Sequence, residues 1–154
     1  MYLEGNIYVK AGVSQMDGNL NELLVRLSDS ILDENFTDVA YNITEEIKGR
    51  TDAFDAVEPI LKLIENNPDI DFGNPGPLVH FLEIFYKKGY EKKLVESLKR
   101  QPTKHTVWML NRIINGSEKE TKKYFINVLV DVLKFPNITN DLVLLVKQFN
   151  DLHK

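Results

Sequence analysis

The chain has three histidines, and metal binding or proton transfer would have to begin with them. His80, His105 and His153 do not form the H-E-x-x-H pattern that puts two imidazoles and a general base on one helix face. No cysteine is present to complete a thiolate site. Asp69-Ile70-Asp71-Phe72-Gly73 opens like a calcium loop, but the turn glycine falls fifth instead of sixth, and His80 stands twelfth, where a bidentate Glu is needed. Gly73-Asn74-Pro75-Gly76-Pro77 is glycine-rich and leads into a helix. It lacks both phosphate-binding fingerprints, and its two prolines remove amide donors that a phosphate would use. It reads as a rigid turn. There is no G-x-S-x-G elbow, and none of the many carboxylates has a partner pattern that would split two pKa values for acid–base work. The expectation is a protein that is not an enzyme, with no metal, no cofactor and no small-molecule substrate.

What the chain has in quantity is charge, unevenly spread. Residues 1–75 carry 15 Asp and Glu against 5 Lys and Arg, while residues 76–154 carry 8 against 14. The overall net charge of −4 conceals this split. Such asymmetry between halves marks an interaction surface. Glu22, Asp55 and Glu58 are expected at helix starts, where acids complement the helix dipole. Asp29, Asp33, Glu34, Glu45, Glu46, Glu65, Asp69 and Asp71 have no such local role, and they are the candidate partner-binding residues. Like charges at this density repel one another, and a basic partner relieves that repulsion.

In the other half, Lys87, Lys88, Lys92, Lys93, Lys99, Arg100 and Lys104 fall within eighteen residues, with Tyr86 and Tyr90 interleaved. Basic side chains beside tyrosines can bind phosphates and stack on bases. Glu83, Glu91 and Glu96 interrupt the run, and a pI of 5.4 gives no general attraction to a polyanion, so nucleic acid is the weaker expectation.

The elements that position these residues are helical. Leu20, Leu23, Leu24, Leu27 and Ile31 step by three and four, as do Val39, Ile43 and Ile47, and Val57, Ile60, Leu61 and Ile64. The same spacing returns through Leu78–Phe85, Leu94–Leu98, Val107–Ile114, Tyr124–Val132 and Leu142–Leu152. Asn19 with Glu22, and Ser117 with Glu120, read as helix starts. Pro77 suits a first helical turn, and Gly89 and Gly116 suit left-handed helix ends. Pro59 is tolerated only near a helix start, which sets that start at Asp55. The expected fold is all-α: about eight helices paired as 19–48, 55–88, 90–115 and 117–152. They would form either a HEAT-like α-solenoid stack or a compact helical bundle. Residues 1–18 form an arm, with Ile7-Tyr8-Val9 as a short strand or loose segment, and 19–154 a single helical-repeat-like domain. No apolar run reaches the ~20 residues that span a bilayer. The first residues lack the basic and apolar regions of a signal peptide, so no membrane partner is expected and the cytoplasm is the expected location.

The most individual segment is Pro102–Asn115, built around Trp108 and Arg112-Ile113-Ile114-Asn115, with Pro77-Leu78-Val79-His80-Phe81-Leu82-Glu83-Ile84-Phe85-Tyr86 upstream. This combination resembles the all-helical, HEAT-repeat-like immunity proteins encoded beside bacterial polymorphic toxins and contact-dependent inhibition systems. The resemblance covers roughly residues 55–135. It implies a cytoplasmic antidote that binds a cognate toxin domain, often a nuclease, and blocks it without catalysis. Its motifs are packing motifs, so Trp108, Arg112, Asn115 and His80 are expected to be structural, with Trp108 in the core. A nuclease cleft is basic, and the acidic residues named above would meet it. A helical-repeat adaptor for some other protein is the alternative.

Overall fold

The computed structural model describes residues 14–154, with side chains from Asn19 onward. The suggested strand at Ile7-Tyr8-Val9 and the rest of the arm before Ser14 lie outside the described residues. Among the described residues the fold is all-helical, with eight α-helices and no strand. They are α1 (Ser14–Asp29), α2 (Phe36–Lys48), α3 (Val57–Glu65), α4 (Gly76–Glu83), α5 (Tyr90–Arg100), α6 (Lys104–Asn115), α7 (Lys119–Asp131) and α8 (Asn140–Leu152). The eight helices read from the apolar spacing are thus present; of the expected pairs, α1–α2, α5–α6 and α7–α8 pack together, whereas the main contact of α4 is with α2.

Several helix ends differ from expectation. α1 is already helical before Asn19, which lies inside the helix and does not cap it. A 3-10 turn, Ala53–Ala56, precedes α3, so Asp55 sits within that turn and not at an α-helix cap. Pro59 is then the third residue of α3, where no helical hydrogen bond is lost. Ser117 does not cap α7: its Oγ donates to the Ile113 carbonyl at the end of α6, and Glu118 takes the cap position. Gly116 ends α6 at φ −95°, so no left-handed residue is used there; Gly89 is left-handed at φ +115°, but it stands before α5 as its N-cap and does not end α4.

The chain forms two compact units. The first contains the described residues up to Ile60 together with Ile70–Phe85, and the second contains Leu61–Asp69 and Tyr86–Lys154. In the first, α2 packs against both α1 and α4. α2 buries Phe36, Ala40, Ile43, Thr44 and Ile47; Ile43 and Ile47 lie on the stripe as expected, while Ala40 takes the buried place expected of Val39. The Thr44 hydroxyl donates to the Ala40 carbonyl, which makes its burial acceptable. Phe36 meets Phe72 edge to face at 6.1 Å. Phe85 does the same with Phe81 at 5.6 Å and with Phe54 at 5.3 Å.

In the second unit α6 is central, packed against α5, α7 and α8. It buries Thr106, Val107, Met109, Leu110, Asn111, Ile113 and Ile114, so it is covered on most of its circumference, as an interior helix must be. Its N-terminus is closed by a capping box. The Thr103 Oγ1 accepts from the Thr106 amide at 3.1 Å, and the Thr106 Oγ1 accepts from the Thr103 amide at 3.0 Å. Both threonines are buried, so neither amide can turn to water instead.

Candidate functional site

The charge split follows the two units. The described residues of the first unit carry 13 Asp and Glu against 3 Lys and Arg, while the second unit carries 9 against 15. Of the eight candidate carboxylates, Asp29, Asp33, Glu34, Glu45, Glu46 and Asp71 belong to the first unit, and all six are exposed. Asp29 ends α1, Asp33 and Glu34 lie in the link to α2, and Glu45 and Glu46 lie in the second half of α2. Asp71 has a local task as well: its Oδ1 accepts from the Gly73 amide at 2.9 Å and holds the turn before α4.

The other two, Glu65 and Asp69, are in the second unit. Asp69 is exposed, but Glu65 is not a surface acid. It is 7% exposed at the end of α3 and accepts from Ser97 Oγ and from two nitrogens of Arg100 on α5. A carboxylate held in this way is part of the packing and leaves the partner-binding set.

The residues expected to be structural divide likewise. Ile113 is core, but Trp108 is only half-buried and carries the Arg112 guanidinium 5.2 Å above its ring. Asn115 is exposed at the end of α6. His80 is exposed, in the last turn of α4.

His80 instead lines an open groove of about 680 Å³ between α2 and α4. The α2 wall presents Asp38, Tyr41, Glu45 and Lys48, which share one helix face at three- and four-residue steps. The opposite wall presents His80, Phe81 and Ile84. Asn74-Pro75-Gly76 forms the end of the groove. The turn beneath is tight, because a Cβ on Gly73, at φ +101°, would lie 2.6 Å from the Gly76 Cα. Tyr41 is 57% exposed and Ile84 43%, so large apolar surface faces solvent here. Lys48 Nζ sits 2.8 Å from Glu45 Oε2, and that hydrogen bond, followed by the carboxylate's charge, holds the Lys48 ammonium above the ordinary lysine range. Leu32, 81% exposed, adds a further apolar side chain beside Asp33 and Glu34.

Sequence reading missed Asp38, Tyr41, Lys48 and Ile84. Tyr41 did leave a signal, being a large aromatic off the apolar stripe of its helix.

The basic stretch of the second unit is organised differently from a base-stacking surface. Tyr90 is wholly buried, and the Tyr86 hydroxyl donates to the Gly116 carbonyl at 3.2 Å. The Lys87 amide donates to both oxygens of Glu91, Lys93 lies 3.9 Å from Glu96, and Arg100 is committed to Glu65. Among the described residues no three His, Asp or Glu side chains gather as a metal site, and no helix is long and apolar enough to cross a membrane.

Comparison of the chain with known protein families, with curated proteins and with solved structures finds no match.

Proposed function

We propose that this protein is an immunity protein, which neutralises a bacterial toxin domain by binding it through the acidic first unit. One observation carries the reading: among the described residues the excess of acid is concentrated in one compact unit, 13 acidic residues against 3 basic ones, together with the exposed apolar side chains of Leu32, Tyr41 and Ile84. Acid alone gives attraction without grip. Exposed aromatic and aliphatic side chains among carboxylates supply the apolar anchors that protein interfaces use. The resemblance to toxin-associated immunity proteins makes a toxin domain, a nuclease in particular, the first partner to test. In this reading the chain acts in the cytoplasm, catalyses nothing and needs no cofactor.

Complementary fields raise association rates by orders of magnitude, and salt screens them over ~10 Å at 0.1 M. Stopped-flow association with the cognate toxin domain is therefore expected to slow steeply between low and moderate salt. A rate that stays flat across that range contradicts electrostatic docking.

A further inference from the structure

We infer that the α2–α4 groove is the seat for an arginine-bearing segment of the partner, with Tyr41 and Ile84 packing on the side-chain stem and Asp38 and Glu45 taking the guanidinium. The inference rests on the preceding reading in one respect, that the partner is a basic polypeptide. It adds where that partner is gripped and by which chemistry.

The groove already holds a cation. Lys48 reaches Glu45 across one helical turn at 2.8 Å, with both side chains nearly half exposed. Exposed pairs of this kind contribute little to stability, because water solvates both charges and ordering two long side chains opposes the contact. Lys48 is therefore a weak occupant that an incoming group can displace at small cost. The neighbouring positions favour arginine over lysine as its replacement. A guanidinium is planar, stacks on an aromatic face and meets a carboxylate through two nitrogens, whereas an ammonium is a strongly hydrated point charge. Tyr41 offers an aromatic face that is 57% exposed, and Asp38 and Glu45 flank it on the same face of α2.

The same features decide against other occupants. A nucleic acid or an anionic lipid surface would meet a unit in which acids outnumber bases 13 to 3. An uncharged apolar peptide would leave that field without a counterpart. A cationic side chain with an apolar stem fits both the charge and the surface.

The full chain can be tested with a short peptide of alternating Arg and Leu, blocked at both ends, alongside versions in which Lys or the uncharged citrulline replaces Arg. Binding is followed by amide NMR shifts. The Arg peptide is expected to perturb α2 and α4, the Lys peptide to bind about threefold to tenfold more weakly, and the citrulline peptide not to bind. Tyr41→Ala combined with Asp38→Asn is expected to weaken the Arg peptide by about tenfold with the thermal melt unchanged. Lys48→Ala is expected to tighten it, because the resident cation is gone. The inference is overturned if the Arg peptide does not bind, if its shifts fall elsewhere, or if Tyr41→Ala with Asp38→Asn leaves its affinity unchanged. The two readings fail separately. Groove binding of the peptide without toxin neutralisation upholds the groove and removes the immunity function. Neutralisation undiminished by Tyr41→Ala with Asp38→Asn removes the groove and leaves the function.

Discussion

Arg100 holds Glu65 through two nitrogens, Nη2 to Oε2 at 2.7 Å and Nε to Oε1 at 3.2 Å, and this pair joins the end of α3 to the end of α5. The acid is buried, with its Oε2 also accepting from Ser97 Oγ, so its charge is compensated entirely by protein. Removing the arginine leaves a buried carboxylate with a hydroxyl as its main partner. The loss from breaking a wholly buried pair is discounted here, because a third of the Arg100 side chain meets water. Arg100→Ala is expected to lower unfolding free energy by about 1–3 kcal/mol in urea denaturation, while association with the toxin domain proceeds at the wild-type rate. A slowed association with unchanged stability would return Glu65 to the binding surface.

The capping box of α6 carries a second prediction. Thr103 and Thr106 satisfy each other's amides at a buried helix start, at 3.0 and 3.1 Å. Thr103→Ala removes the acceptor for one of these amides and is expected to cost about 1–2 kcal/mol, read as a shifted denaturation midpoint with an unchanged slope. Ser117→Ala, at a site the sequence marked as a cap but whose hydroxyl donates to the Ile113 carbonyl of α6, is expected to cost clearly less. Equal losses would mean that the box contributes no more than an ordinary side-chain bond.

The C-terminal helix carries a pH-dependent contact. His153 Nε2 and Asn111 Oδ1 are 2.7 Å apart, linking the residue after α8 to the buried face of α6. Burial first, and the charge of Lys122 second, hold the His153 imidazole below its ordinary pKa. The unfolded chain therefore takes up this proton more readily than the folded one. The stabilising contribution is complete above about pH 6.5, the ordinary histidine value, and is lost as pH falls below it. Denaturation midpoints taken from about pH 7.5 to 5.5 are expected to fall, and His153→Gln is expected to reduce that slope. Parallel slopes for the two proteins would contradict this assignment.

Charge reversal tests the face. Asp33→Lys with Glu34→Lys changes exposed residues of the link between α1 and α2, beside Leu32. Lys92→Glu with Lys93→Glu changes the basic unit by the same amount with opposite sign. The first pair is expected to slow toxin association by about tenfold or more at low salt, and the second to leave it unchanged or raise it. The reverse order would place the toxin on the basic unit.

The helical fold was legible because its evidence is local. Leu20, Leu23, Leu24 and Leu27 repeat at helical spacing and are buried along α1, and Leu78, Phe81 and Leu82 do the same on α4. Ends were less legible, because a cap is a competition among nearby groups. Ser117 satisfies the typical pattern yet bonds backwards to α6, and Thr106 serves the cap of α6 without being the Glu or Gln the pattern asks for. The site was legible only in bulk. Asp33 and Glu34, picked out by charge counting, are exposed. Glu65 looks the same in sequence, but its partners Ser97 and Arg100 lie 32 and 35 residues away and meet it only in the folded chain. The groove needed two helices at once: Tyr41 and Ile84 share no local pattern, and only the packing of α2 against α4 puts them on one groove.

Neutralisation of a toxin is read in the growth of cells. The product of the gene immediately upstream is induced in bacterial cells with and without this chain. The upstream product alone is expected to stop growth, this chain to restore it, and Asp33→Lys with Glu34→Lys and Tyr41→Ala to weaken the rescue. An upstream product that is harmless alone, or one whose toxicity this chain leaves unchanged, would rule out the immunity function.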